Sequence, residues 1–192
     1  MKVYIFLAVC VAFAICVSGC TQPTSVPNTT AQPTSAQTQA PNVTATPTPQ
    51  ISYVTLITSG NAEVVAGKTS IQAGKIALES AIQTQGKAVP MQDILVRSEA
   101  DFTAAKNHFT NAQAYYTQAV ATAPSGLVST LNVMTGTLPA DIRACDTYLA
   151  ANKAAQNFDW YNASDLLNSA NMQYQSSMQT TDQMLALLLV AS

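Results

Sequence analysis

The stretch from Gly60 to Ala81 places a very small residue at every seventh position and a large apolar residue three positions before each. The small residues are Gly60, Gly67, Gly74 and Ala81, and the large ones are Ile57, Val64, Ile71 and Leu78. Glycine inside a helix costs about 1 kcal/mol relative to alanine. A helical segment with three such glycines therefore needs a compensating gain, and this requirement constrains the fold.

Two interpretations of the glycines are open. They can divide the segment into short turns, or they can let a second helix approach more closely than the usual 8–10 Å between helix axes. The strict seven-residue register favours close packing, because glycines that break a helix have no reason to keep a heptad phase. We therefore predict one long helix, packed tightly through its glycines.

Three further segments repeat helical spacing. In the second, Leu95, Phe102, Phe109 and Tyr116 alternate with Ser98, Ala105, Ala112 and Ala119. In the last, Trp160, Leu167, Tyr174 and Leu188 alternate with Ala163, Ala170, Ser177 and Ala191, with one interruption at Thr181 and Met184. The third carries an apolar stripe at Leu127, Leu131, Met134, Leu138, Ile142, Cys145 and Leu149. This stripe keeps its phase across Pro139, which predicts a kink rather than a break.

Turn signals separate these segments at Gly86 to Pro90, at Pro124 to Gly126 and at Asn157 to Asp159, where Asp159 is a candidate N-cap. They predict helices near 54–85, 91–122, 126–156 and 160–190. Helices of nearly equal length joined by short turns are typical of a bundle. The expected fold is therefore all-α, an up-down-up-down antiparallel four-helix bundle formed by residues 51–192.

The first twenty residues have the anatomy of a secretion signal. Lys2 precedes an apolar segment over 3–17, and the sequence Val17-Ser18-Gly19-Cys20 follows. This ending resembles the lipobox of prokaryotic lipoproteins. The resemblance implies that residues 1–19 are a signal peptide removed before Cys20, and that the Cys20 thiol carries a lipid. The alternatives are an ordinary signal peptide with an incidental cysteine, or an uncleaved anchor.

Residues 21–50 contain no charge, no aromatic residue and six of the nine prolines. Such a composition predicts a disordered Thr/Pro/Gln-rich tether behind Cys20, since it cannot bury enough apolar surface to fold. Its extended reach is roughly 90 Å. Threonine-rich linkers behind a lipobox resemble those of archaeal surface lipoproteins, and Gram-positive lipoproteins have similar ones. Asn28, Asn42 and Asn162 match the glycosylation acceptor pattern.

The residue inventory argues against catalysis and against nucleic acid. Charged residues are 9 % of the chain, and the eight basic ones are scattered, whereas nucleic-acid binding needs clustered Lys and Arg. His108 is the single histidine, and Cys145 lies on the apolar stripe, which favours a core thiol. Met172, Met178 and Met184 do not share a helix face. We expect no enzyme activity, no cofactor and no metal.

Together these features predict a lipid-anchored extracytoplasmic structural or protein-interaction lipoprotein on the outer face of the cell membrane. Its partners would be the membrane, an envelope protein and a second copy through the fourth helix. The apolar end of that helix, over 184–191, is expected to be buried in the bundle or in a partner, and would be an association patch if exposed. The alternatives are a small-ligand-binding bundle and a sensor-type bundle. The candidate partner site is the bundle end far from the tether, at Phe158, Trp160 and Tyr161, although Trp160 at a large heptad position is expected to cap the core.

Overall fold

The computed structural model describes residues 51–85, 87 and 91–191. In this part of the chain the backbone forms four α-helices, namely α1 Tyr53–Thr84, α2 Met91–Val120, α3 Ser125–Gln156 and α4 Trp160–Ala191. Their packing confirms the expected four-helix bundle, and each end lies within two residues of its predicted position. The predicted signal peptide and tether, with Cys20, Asn28 and Asn42, lie outside the described residues. Within the described ranges, no helix combines the length and apolarity needed to span a membrane.

The glycines of α1 form the closest seam of the bundle. A Cβ atom built on Gly60 would lie 2.7 Å from the ring of Tyr116, and one built on Gly74 would lie 2.8 Å from Phe102. At Gly67 the nearest atom is Cε1 of Phe109, at 2.9 Å. Each glycine therefore leaves a notch that an aromatic ring of α2 fills, and the close-packing interpretation is confirmed.

The seam of α3 differs from the prediction in its second half. The buried positions alternate by three and four residues through Leu131, Met134, Leu138, Asp141, Cys145, Tyr148, Asn152 and Ala155. Leu127, Ile142 and Leu149 are only half-buried at its flank. The predicted stripe was wrong at these three positions: Leu127 precedes the buried run, and Ile142 and Leu149 each follow by one residue a buried seam position, Asp141 and Tyr148. The polar seam positions make hydrogen bonds: both carboxylate oxygens of Asp141 accept from hydroxyls of α4, and the Asn152 amide donates to the Leu95 carbonyl at 3.1 Å, while its Oδ1 has no partner among the described residues.

Helix α3 runs through Pro139 without interruption, so the chain is not split there. Proline has no N–H to donate, and the carbonyl oxygen of Thr135, four residues earlier, loses its helical partner. The Gln113 side-chain amide of α2 donates to this oxygen at 3.3 Å. A neighbouring helix thus replaces the hydrogen bond that the proline removes.

One layer of aromatic rings crosses the bundle. Phe102 of α2 stacks on Tyr148 of α3, with ring centroids 4.7 Å apart and planes 7° from parallel. Tyr148 meets Tyr174 of α4 edge-on, with centroids 6.4 Å apart. Because Phe102 also fills the Gly74 notch, this layer connects all four helices.

Helices α1 and α4 form the widest seam, with far fewer close backbone approaches than the α1–α2, α2–α3 or α3–α4 pairs. Lys68 of α1 bridges this seam to Asp182 of α4, with Nζ and Oδ1 2.6 Å apart. Open grooves line the seam on either side of the ion pair.

We expect Gly67→Ala to be neutral or to lower the free energy of unfolding by up to about 2 kcal/mol. The gain of about 1 kcal/mol in helix propensity is offset by displacement of the Phe109 ring. Gly136→Ala is the matched control, since a Cβ there meets nothing within 4 Å, and it should stabilise by about 1 kcal/mol. Gly67→Leu should cost more than either. Thermal and denaturant unfolding measures all three, and equal stabilisation by both alanines would contradict the notch.

Candidate functional site

The turn between α3 and α4 has an unusual residue at its sharpest point. Phe158 adopts a positive φ of 61°, the left-handed region in which glycine is the common residue. The Phe158 N–H donates to the Ala155 carbonyl at 2.9 Å, and the Asp159 N–H donates to Ala154 at 3.0 Å. These bonds close the end of α3, so the backbone conformation of Phe158 is held from both sides.

Asp159 starts α4 as predicted. Its carboxylate accepts from the Asn162 N–H at 3.3 Å, and its carbonyl accepts from the Ala163 N–H at 2.9 Å, which is the first bond of the helix. The N-cap interpretation is confirmed. Because the cap immediately precedes Trp160, it fixes Trp160 and Tyr161 in the first turn of α4.

Two of the three predicted tip residues face solvent. Phe158 is 66 % exposed and Tyr161 is 81 % exposed. Trp160 is half-buried against the core, and its ring meets Phe158 edge-on with centroids 6.0 Å apart. Its expected role as a core cap is therefore confirmed. We call Phe158, Trp160 and Tyr161 the aromatic tip.

The aromatic tip lies at the end of the bundle opposite Ile51. Helix α1 has 32 residues, which corresponds to a length of about 48 Å. The start of α2 shares the tip end, where Met91 packs against the core and Lys87 is exposed. Asn162 is exposed directly beside Tyr161, so the third predicted glycosylation acceptor is accessible at this end.

Sequence reasoning missed a buried carboxyl in the middle of the bundle. Asp141 of α3 is fully buried, and it accepts hydrogen bonds from the hydroxyls of Ser177 and Thr181 of α4, the latter at 3.0 Å. A signal for it was present, since Asp141 follows Leu138 at the three-residue heptad step. It also explains why Thr181 interrupts the heptad of α4, because a hydroxyl is needed at that position.

Burial raises the pKa of Asp141 to about 6. The hydroxyls of Ser177 and Thr181 act in the opposite direction, the charge of Asp182 raises the pKa further, and Lys68 lowers it. A surface groove of about 580 Å³ between α3 and α4 lies beside this cluster, lined by Ser177 together with other hydroxyl-bearing side chains. Asp141 is thus a protonatable group inside the α3–α4 contact.

The other side chains that could react or bind a metal have structural roles in the bundle. Cys145 is buried, and burial raises the pKa of its thiol to about 12, so little thiolate forms near neutral pH. His108 Nδ1 lies 2.6 Å from Glu63 Oε2, linking α2 to α1. Met172 is exposed while Met178 is buried, which confirms that the methionines share no face. Among the described residues no three His, Cys, Asp or Glu side chains group as a metal site.

Comparison of the chain with protein-family models, with curated proteins and with solved structures finds no match. The aromatic tip therefore stands as the candidate site on its geometry alone: exposed rings, a constrained backbone and a position at one end of the bundle.

Asp141 should make stability depend on pH. Its pKa is higher in the folded chain than the ordinary value of 3.8, so the folded state binds more protons between pH 3.8 and about 6. The contribution of Asp141 to the free energy of unfolding is therefore greatest below this window and falls by about 3 kcal/mol as pH rises through it. Asp141→Asn should remove most of that fall, as chemical unfolding at pH 4 and pH 7 will measure. The control variant Asp165→Asn, at an exposed position of α4, should show the same fall in stability as the wild type. An unchanged fall in Asp141→Asn would contradict the assignment.

Proposed function

We propose that this protein is a lipid-anchored extracytoplasmic interaction module. Cys20 carries the lipid, residues 21–50 space the bundle from the membrane, and the aromatic tip binds a protein of the cell envelope. The lipobox-like sequence around Cys20 supports the anchor. The proposal needs no catalytic step.

The observation that carries the binding role is the exposure of Phe158 in a left-handed backbone conformation. This conformation costs a residue with a side chain about 1–2 kcal/mol, and a ring that is 66 % exposed recovers little of this by burial. Residues kept at a local cost are concentrated at functional sites. Aromatic side chains are also the residues that most often dominate binding energy at interfaces.

The position and shape of the aromatic tip support the same role. It stands about 48 Å from the point where the tether joins α1, and Trp160 braces the Phe158 ring from the core side. Phe158 and Tyr161 therefore project as a supported apolar pair at the outer end. Such a pair fits an apolar pocket on a partner, with the adjacent Asp159, and with Lys87 at the same end of the bundle, available for a polar rim.

A small-ligand-binding bundle is the alternative. A ligand held between the helices needs interior space, whereas the notches at the glycines are filled by aromatic rings. The grooves described above lie open between pairs of helices at the surface. Close packing inside and exposed rings at the end favour the interaction module.

The test uses the full chain in membranes of the cells that express it. Mass spectrometry of the mature protein should find an N-terminal lipidated Cys20, and Cys20→Ser should release the chain or stall its processing. Cross-linking should capture an envelope protein with the wild type but not with the double variant Phe158→Ser, Tyr161→Ser, whose unfolding temperature should be unchanged. Met172→Ser, Val96→Ser is the matched control, since these side chains are 68 % and 53 % exposed.

An unmodified Cys20 would contradict the anchor, and capture retained by the Phe158, Tyr161 double variant would contradict the tip. A marked loss of stability in that variant would also contradict the tip, since it would make the two rings part of the core.

A further inference from the structure

We propose that a second copy of this chain docks antiparallel on the outer face of α1. This inference goes beyond the proposed function and does not depend on the lipid anchor or on the aromatic tip. The outer face consists of six residues of α1: Ala62, Val65, Ala66, Thr69, Ala73 and Ile76.

The outer face is an uncharged surface with two large apolar side chains in solvent. Val65 is 54 % exposed and Ile76 is 59 % exposed. Positions 62, 66, 69, 73 and 76 alternate by four and three residues, the spacing of a helix-packing seam. Helix α1 therefore carries two seams, and only the inner one is covered by helices of the same chain.

Two grooves flank the outer face along the wide seam between α1 and α4. One, of about 480 Å³, is lined by Ala62, Ala66, Leu185 and Leu189 among others. The other, of about 640 Å³, is lined by residues that include Ala73, Tyr174 and Met178. The first groove is lined by α1 residues before Thr69, and the second by α1 residues from Lys68 to Ile76. A large side chain from outside can enter each of them.

The outer face is self-complementary when two copies run antiparallel with Thr69 at the two-fold axis. Ile76 of one copy then faces Ala62 of the other, at the 480 Å³ groove. Val65 faces Ala73, at the 640 Å³ groove. Large meets small at both ends, and the symmetry repeats each contact, as a two-fold interface requires. A parallel pair would instead place Val65 on Val65 and Ile76 on Ile76.

The size and charge of this face suit a second copy. From Thr58 to Ser80 the helix is about 33 Å long, and the two grooves on its α4 side add surface that a second copy can cover. The charged pair beside it, Lys68 and Asp182, is already bridged within one chain. Docking therefore leaves this pair satisfied, and Arg97 of α2, which lines a third groove beside Ile76, lies at the edge of the face.

An antiparallel pair is compatible with anchoring of both copies in one membrane. It places the two aromatic tips at opposite ends, about 48 Å apart along α1. Thirty residues of extended chain reach roughly 90 Å, which exceeds that length. Both Cys20 residues can therefore reach the same surface.

The experiment is disulfide cross-linking of the full chain in a background where Cys10, Cys16, Cys20 and Cys145 are replaced by serine, so that its outcome does not depend on lipidation. Thr69→Cys should give a covalent dimer under mild oxidation, because the two copies of residue 69 meet at the axis. Thr110→Cys of α2 should not, and it is a matched control: both threonines are exposed, and both hydroxyls bond the carbonyl four residues earlier. Absence of the Thr69→Cys dimer, or equal dimer from both variants, overturns the proposal. If a lipid chain or another protein covers this face instead, the Thr69→Cys dimer will be absent.

A second pair of variants tests the contact itself. In the Thr69→Cys chain, Val65→Lys should lower the dimer yield at least tenfold, because it places a charge against Ala73 of the other copy. Val96→Lys on α2 should leave the yield unchanged, since Val96 is 53 % exposed but lies outside the face. Both should keep the unfolding temperature. Equal yields from the two lysine variants overturn the docking face.

Orientation is tested by mixing two differently tagged chains. Ala66→Cys and Gln72→Cys should cross-link to each other, because antiparallel register about Thr69 places these positions opposite. Cross-linking of Ala66→Cys to itself, without the mixed product, would show a parallel pair and overturn the antiparallel register.

Discussion

The packing of all four helices depends on the position of the Phe102 ring. It fills the notch at Gly74 of α1 and stacks at 4.7 Å on Tyr148 of α3, which meets Tyr174 of α4. The Ser98 hydroxyl donates to the Gly74 carbonyl at 3.0 Å in the same seam. The glycine cost of about 1 kcal/mol per residue is therefore offset by aromatic packing that extends across all four helices. A Cβ at Gly74 would lie 2.8 Å from the Phe102 ring, so the ring or the helix would have to shift.

Polar contacts then define the register of the helix pairs. Tyr116 donates to Asn61 between α1 and α2, and Asn152 donates to a carbonyl of α2. Asp141 is held by two hydroxyls between α3 and α4. Buried polar groups of this kind disfavour slipped registers, since a slip leaves them unpartnered. Fixed register matters for the aromatic tip, because α3 and α4 together position Phe158 and Tyr161.

The sequence predicted the heptad positions of α1 and α2, since they are apolar or small and repeat by sevens, but it did not predict that Leu56 and Asn61 of α1 are also buried. It did not predict the polar seam of α3: the three-residue step from Leu138 to Asp141 was visible, but the hydroxyls that stabilise Asp141 lie 36 and 40 residues away along the chain. The left-handed backbone conformation of Phe158 was not predictable from the sequence either, since this conformation usually occurs at glycine and phenylalanine does not indicate it. The aromatic tip itself was predictable in place, because turn signals and helix lengths put it at the end opposite Ile51. The outer face of α1 became visible only once the wide α1–α4 seam was known.

A double-mutant cycle on Gly74 and Phe102 tests the seam most directly. The free energy of unfolding is measured for the wild type, Gly74→Ala, Phe102→Leu and the double variant. Close packing of the ring in the notch predicts that Gly74→Ala is harmful beside Phe102 but stabilising in the Phe102→Leu background, where the smaller leucine side chain leaves room for a methyl group. The expected coupling is at least about 1 kcal/mol, in the range found for residues in contact. Additive effects within about 0.3 kcal/mol would contradict the notch and the layer built on it.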